Sequence, residues 1–170
     1  RAGREDVPLD AVGRAQAERL RDLLAGESVD VVFASPLQRA RDTATPLAHG
    51  RGLEVRVDPD LVELDFGDYS GTSRDVKLKL RRDYVDTPVP GGESLREVWQ
   101  RAERFVARRV AEVADGAQIL VVGHHRLNRL LLGVLRGRTL EQTLADQDYR
   151  PANGSVIAVE VRIEGGAVQA

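Results

Sequence analysis

The sequence predicts an α/β fold, a largely parallel sheet with helices on its faces. Two observations carry this. Short, β-branched apolar runs alternate with helical stretches along the whole chain, and Ser- or Asp-type caps stand where helices open. The 170 residues show no internal repeat, low-complexity tract or linker, which predicts a single domain spanning residues 1–170.

After Pro8-Leu9, the stretch from Asp10 to Leu24 reads as a helix. Asp10 is its N-cap, Val12, Leu20, Leu23 and Leu24 are among its apolar positions, and Gly26 follows its end. Val29 to Phe33 is a strand of the buried, parallel type. In Ser35-Pro36-Leu37-Gln38 the serine suits the N-cap, proline the first helical position, and Gln38 a capping box. That helix runs to about His49, bent at Pro46 and stopped by Gly50. Leu53 to Val57 is a strand, followed by an irregular stretch from Asp58 to Thr72. Val76 to Tyr84 is predicted helical, and Thr87 to Gly92 is a turn-rich connection. Ser94-Leu95-Arg96-Glu97 is a second capping box, opening a helix that ends before Gly116. Ile119 to Val122 is a buried strand, Arg126 to Leu135 a leucine-rich helix, and Ser155 to Ile163 a last strand before the Gly165-Gly166 turn.

Charged residues make up 31% and leave a net charge of -2, which argues against a general nucleic-acid or membrane-surface binder. An anion site would have to be local. No apolar run approaches the ~18 residues of a membrane span. With no cysteine there is no thiol nucleophile and no thiolate zinc site, a composition that suits the cytoplasm. The chain starts at Arg1 and contains no methionine, so further native residues are expected upstream.

In α/β sheets ligands bind beyond the carboxyl ends of the strands. Two such junctions stand out: Ala34 to Ala40, with Arg39 in a helix's first turn, and Val122-Gly123-His124-His125 ahead of the next helix. Free backbone N–H groups and a helix dipole suit an anion there, and a guanidinium adds a fork matched to phosphate. Each residue also has a plainer reading. A lone helix arginine is usually solvated, and His124 could be a satisfied, half-buried histidine. Adjacent His124 and His125 make a poor metal site because their side chains diverge. His49, at a helix end, reads as structural. Glu63 lies in an apolar, glycine-punctuated loop where desolvation would raise its pKa toward general-acid range. Asp65 and Asp68 have similar local claims.

Taken in order, Asp6-Val7-Pro8-Leu9, Gly13-Arg14-Ala15-Gln16-Ala17, Ser35 to Ala44, Leu61 to Gly71, Gly91-Gly92-Glu93-Ser94-Leu95 and Val121-Val122-Gly123-His124 resemble the histidine phosphatase superfamily, in its phosphoglycerate-mutase-like branch. The resemblance covers nearly the whole chain. It implies a three-layer α/β/α fold with a mostly parallel central sheet, and a metal-independent phosphatase that hydrolyses a small phosphate monoester through a phosphohistidine. It makes Arg39 the phosphate-binding arginine, Glu63 the general acid/base and His124 the second histidine, which binds the transferring group. It implies no metal and no cofactor, and a small phosphorylated substrate or inorganic phosphate as ligand. The family's nucleophile is a histidine in Arg-His-Gly at the end of the first strand. Arg1-Ala2-Gly3 stands too near Pro8 to be that motif and reads as the tail of the following loop, which places the first strand and nucleophile upstream.

Two departures bear on the substrate pocket. His125 replaces a residue that is often small in the family, and Ser70 replaces a common acidic residue. Arg81 and Arg82 faintly resemble the mutases' substrate-binding arginine pair, and together with His125 they are the candidate substrate-binding residues. Phosphatase is favoured over mutase because Gly91-Gly92-Glu93-Ser94 follows without the mutases' usual insertion. The reading outside enzymology is a degenerate member that binds a phosphorylated ligand or a partner protein. Neither nucleic acid nor a membrane is an expected partner, and a homodimer is compatible with the sequence.

Overall fold

The computed structural model describes residues 3–72, 83–110, 112–146, 149, 151–164 and 167–169, with backbone alone described at 162–164 and 167–169. Helix α1 (Ala11–Leu23) leads to strand β1 (Val31–Ala34), helix α2 (Gln38–His49) and strand β2 (Val55–Val57). Helix α3 (Leu95–Phe105) continues as a π-helical turn over Val106–Val110. Strand β3 (Ile119–Val122), helix α4 (His125–Leu135) and a short helix α5 (Leu140–Ala145) follow. The strands pair in the order β2-β1-β3, all parallel, with Ala34 opposite both Val57 and Val122. Strands β4 (Arg162–Glu164) and β5 (Ala167–Gln169) form a separate antiparallel pair.

The two-residue period of β1 sorts the core into two layers. Val32 and Ala34 pack with Ala44 and Ala48 of α2, and all four are 0% exposed. Alanines on that helix face let its backbone lie close to the sheet. Val31 and Phe33 point the other way, into a larger cluster with Val98, Trp99 and Phe105 of α3 and Leu127 and Leu130 of α4. Phe33 meets Phe105 edge-on, with ring centroids 5.4 Å apart. Each fully buried aromatic or leucine side chain stabilises the fold by about 1.5–3 kcal/mol. Helices therefore cover both faces of a parallel sheet, the three-layer arrangement expected.

Asp10 caps α1 by accepting the Gly13 N–H at 2.7 Å, and Ser94 with Glu97 forms the expected capping box on α3. α2 runs through Pro46 to His49. Several expectations are corrected. Val12 and Leu23 lie outside the core, 65% and 68% exposed, because α1 buries a stripe through Ala17 and Leu20. Ser35 is not the cap of α2. The N-cap is Leu37, which lends no side chain, and Asp6 Oδ1 accepts the Gln38 N–H at 2.5 Å instead. Residues 155–161 form no strand: they find no ladder partner among the described residues, and Val156 and Ile157 stay 43% and 45% exposed. β3 is half-buried, since among the described residues only β1 pairs with it. Most of the helix expected over 76–84, and the Gly165-Gly166 turn, lie outside the described residues.

Candidate active site

The carboxyl ends of the three parallel strands set the site. Two hydrogen bonds extend the ladder one residue past β1: Ser35 N donates to Val122 O at 3.0 Å, and Asp58 N to Ala34 O at 3.0 Å. Ser35 therefore stands beside Gly123 and one peptide from His124. His124 is 8% exposed, and its Nε2 lies 2.7 Å from Ser35 Oγ. His125, the first residue of α4, is exposed, while His124 before it is buried as the N-cap. His49 is exposed at the end of α2.

Burial, together with the charges of Arg39 and Arg101, pulls the His124 pKa down to about 3. The ring is thus neutral across the physiological range. Arg39 sits in the first turn of α2, and its fork holds two carbonyls of the N-terminal segment, Glu5 O at 2.7 Å and Gly3 O at 2.6 Å.

Glu63 belongs to the irregular stretch between β2 and α3, and is 8% exposed. Its carboxyl group closes the N-terminal end of α4. Oε1 accepts the N–H groups of Leu64 at 2.9 Å and Leu127 at 3.2 Å, and Oε2 the N–H of Arg126 at 3.3 Å. Burial pushes the Glu63 pKa up, and those three N–H groups oppose it. Oε2, with one longer contact, is the oxygen with room for a proton. Tyr149 lies near enough for the Glu63 charge, after burial, to help raise its phenol to about 12, and its ring centroid is 5.6 Å from that of His125.

A second set of charges fixes the loop bearing Glu63. Glu93 accepts the Asp65 N–H at 3.2 Å and pairs side-on with the Nε–Nη2 edge of Arg101, at 3.1 and 3.0 Å. Arg101 also donates to Asp60 O at 2.7 Å and Val62 O at 2.9 Å. Arg4 donates to Glu63 O at 3.1 Å and pairs with Glu93 at 2.6 Å and Asp65 at 3.6 Å. Gly67, at φ +45°, lies so close to the Pro90-Gly91-Gly92 turn that a Cβ on it would meet Pro90 O at 2.1 Å. The two glycine-bearing motifs are therefore halves of one clamp.

The structure thus gathers Glu63 and His124 at the carboxyl end of the sheet, with the Arg39 charge acting on His124. Asp65 and Asp68 are placed differently: Asp65 accepts the Gly67 N–H at 2.9 Å and pairs with Arg4, and Asp68 meets the Gly91 turn. Arg81 and Arg82 lie outside the described residues. Among those described, no group of three or more His, Asp or Glu is placed to hold a metal ion, and no helix is long and apolar enough to cross a membrane.

Sequence reasoning passed over Ser35 as a partner of His124, and also Arg4, Glu93, Arg101 and Tyr149. Arg101 did leave a signal. It stands three residues after Val98 and four before Phe105, on the apolar stripe of α3, where a charge must find buried partners.

The sequence model of the histidine phosphatase superfamily (branch 1) matches residues 1–170. The adenosylcobalamin/alpha-ribazole phosphatase of Escherichia coli K12 is 36% identical over 168 residues, 94% of this chain and 81% of that protein. A 2,3-bisphosphoglycerate-dependent phosphoglycerate mutase of Rhizobium etli is 34% identical over 158 residues, 84% of this chain and 75% of that one. Among solved structures, the mycobacterial glucosyl-3-phosphoglycerate phosphatase Rv2419c in complex with inorganic phosphate superposes with a TM-score of 0.74 at 31% identity, covering 85% of this chain and 77% of that one.

Proposed function

This chain belongs to the histidine phosphatase superfamily (branch 1), and from that premise we propose that it is a metal-independent phosphatase acting on a small phosphate monoester through a phosphohistidine. One observation carries the reading: a buried carboxyl group disposed to hold a proton, Glu63, shares the sheet's carboxyl end with a neutral histidine under arginine charge. Such a trio has the parts phosphoryl transfer needs, a donor for the leaving oxygen and donors for the equatorial oxygens.

In the first step a histidine attacks phosphorus. His124 and Arg39 hold the phosphoryl oxygens, with the guanidinium exchanging its carbonyl partners for phosphate. Glu63 gives its Oε2 proton to the leaving oxygen as the P–O bond breaks. In the second step ionised Glu63 takes a proton from water, the hydroxide displaces the histidine, and inorganic phosphate leaves. Covalent catalysis divides one hard displacement into two.

None of the three histidines of the chain suits the attacking role. His124 Nε2 is occupied by Ser35, His125 faces outward, and His49 is at the far end of α2. We assign the nucleophile to a strand-end histidine upstream of residue 1. The edge of β3 that has no partner among the described residues supports this, since it would receive such a strand beside His124. Arg81, Arg82 and His125 remain the proposed contacts to the rest of the substrate.

The reading is tested with the full-length protein, p-nitrophenyl phosphate and a small alkyl phosphate, in excess EDTA. Hydrolysis with a trapped phosphoenzyme that is acid-labile and alkali-stable is expected. Loss of activity to EDTA, or no phosphoenzyme under rapid quench, would sink it.

A further inference from the structure

We infer that the Ser35 hydroxyl fixes His124 as its Nδ1-protonated tautomer, which makes Ser35 a positioning residue for the phosphoryl-binding histidine; the second half rests on the function proposed above. Ser35 is 0% exposed, and its backbone is locked by the hydrogen bond to Val122 O at 3.0 Å. Its Oγ makes two contacts, to the Leu37 N–H at 3.3 Å and to His124 Nε2 at 2.7 Å.

A hydroxyl has one hydrogen to give and two lone pairs to receive. The Leu37 N–H can only donate, so it occupies a lone pair. The hydroxyl hydrogen then has one acceptor among the described residues, His124 Nε2. Were Nε2 protonated instead, two donors would converge on Oγ and its own hydrogen would be buried without a partner. A buried polar group left so costs roughly 1–3 kcal/mol, enough to settle a choice between tautomers. Nε2 is therefore the acceptor. Burial, with the charges of Arg39 and Arg101, keeps the ring neutral, so its single proton lies on Nδ1.

The consequence is chemical. Nδ1 makes no hydrogen bond among the described residues, which leaves Nδ1–H as a donor for a phosphoryl oxygen. The other tautomer would present a lone pair to an anion and repel it. The serine does for this histidine what a buried carbonyl or carboxylate often does, setting which nitrogen holds the proton.

Long-range 1H–15N correlation on the full-length protein at neutral pH reads the tautomer directly. Wild type is expected to show a pyrrole-like Nδ1 and a pyridine-like Nε2 at His124. Ser35→Ala is expected to move the ring toward the Nε2-protonated form and to lower kcat roughly tenfold, the worth of one hydrogen bond, with KM little changed. An Nε2-protonated ring in wild type overturns the inference, as does a tautomer unchanged in Ser35→Ala, whatever turnover does. If the full-length protein lacks phosphatase activity yet its tautomer responds to Ser35→Ala, the tautomer assignment stands and the phosphatase reading falls.

Discussion

Glu63 Oε1 accepts the backbone N–H of Leu127 at 3.2 Å, so the carboxyl group proposed as the acid also terminates the helix that begins at His125. The contact couples the two catalytic candidates: any shift of Glu63 is felt at the first turn of the helix next to His124. It also limits how far burial can raise the pKa, because a helix N-terminus favours the carboxylate. An acid that must later serve as base benefits from such opposed influences.

Replacing Glu63 with Gln removes the proton donor and keeps most of the shape. We expect at least a hundredfold loss of phosphoenzyme formation on an alkyl phosphate, and a clearly smaller loss on p-nitrophenyl phosphate, whose leaving group needs little protonation. The alkaline limb of the wild-type pH–rate profile, set by a Glu63 pKa raised by burial, should vanish in the variant. Equal losses on both substrates in rapid-quench assays would move the acid elsewhere, with Asp65 next to be tried.

Arg39→Ala is expected to lose at least two orders of magnitude in turnover with little loss of fold. A charge-assisted contact to the transferring group is a transition-state interaction worth several kcal/mol in a closed site. The guanidinium also ties down Gly3 and Glu5, so the N-terminal segment should become more open to proteolysis. Near-normal kcat would leave Arg39 only as a tie to the N-terminal segment.

His124 gives stability a defined pH dependence. Its folded pKa of about 3 lies below the ~6.5 of an unfolded chain, so between those values the unfolded state binds more protons. Its contribution is complete above pH ~6.5 and is lost as pH falls toward 3, with a slope of up to ~1.4 kcal/mol per unit. Glu63 acts with the opposite sign, because its folded pKa is raised and its ionisation as pH climbs weakens the fold. Urea midpoints from pH 7 to 4 should fall less steeply in His124→Gln than in wild type. Parallel curves would show that His124 binds protons alike in the folded and unfolded chains, so that folding does not lower its pKa.

Gly67→Ala tests the clamp between the two glycine motifs. The left-handed φ costs a non-glycine residue about 1–2 kcal/mol, and the new Cβ would also meet Pro90 O at 2.1 Å. Together these should lower Tm by ~5 °C or more and reduce kcat, because the loop from Glu63 to Gly67 must move. A Tm and kcat equal to wild type would show that the loop and the Pro90 turn are not held together.

The parts of the fold legible in sequence were those fixed by local chemistry. Asp10 and Ser94 announced their helices because capping is decided within four residues, and Ile119 to Val122 read as a strand from its own side chains. Pairing was not legible. The stretch at Ser155 has strand-like residues, but a strand exists only where a ladder partner lies beside it. Ser35 shows the same limit in a side chain: the residue that suits an N-cap by type is taken by a histidine 89 positions away. Glu63 and His124 could be proposed from their loops, whereas Glu93 and Arg4 act through partners that only folding brings near.

Among the described residues one edge of β3 is unpaired. Ile119-Leu120-Val121-Val122 is an apolar run typical of a strand with neighbours on both sides, yet among the described residues only β1 pairs with it. A bare, apolar edge of this kind is an invitation to aggregate, and proteins usually cover one. A strand arriving from upstream of Arg1 would pair there, and its carboxyl end would deliver a histidine next to His124. Hydrogen exchange decides the matter. In a longer protein carrying the upstream residues, the β3 amides that face this edge should be as protected as those of Val31–Ala34. In residues 1–170 alone they should exchange far faster, and the fragment should self-associate as its concentration rises. Equal protection of β3 in both proteins would mean that no upstream strand docks there, and the proposed nucleophile would lose its place in the sheet.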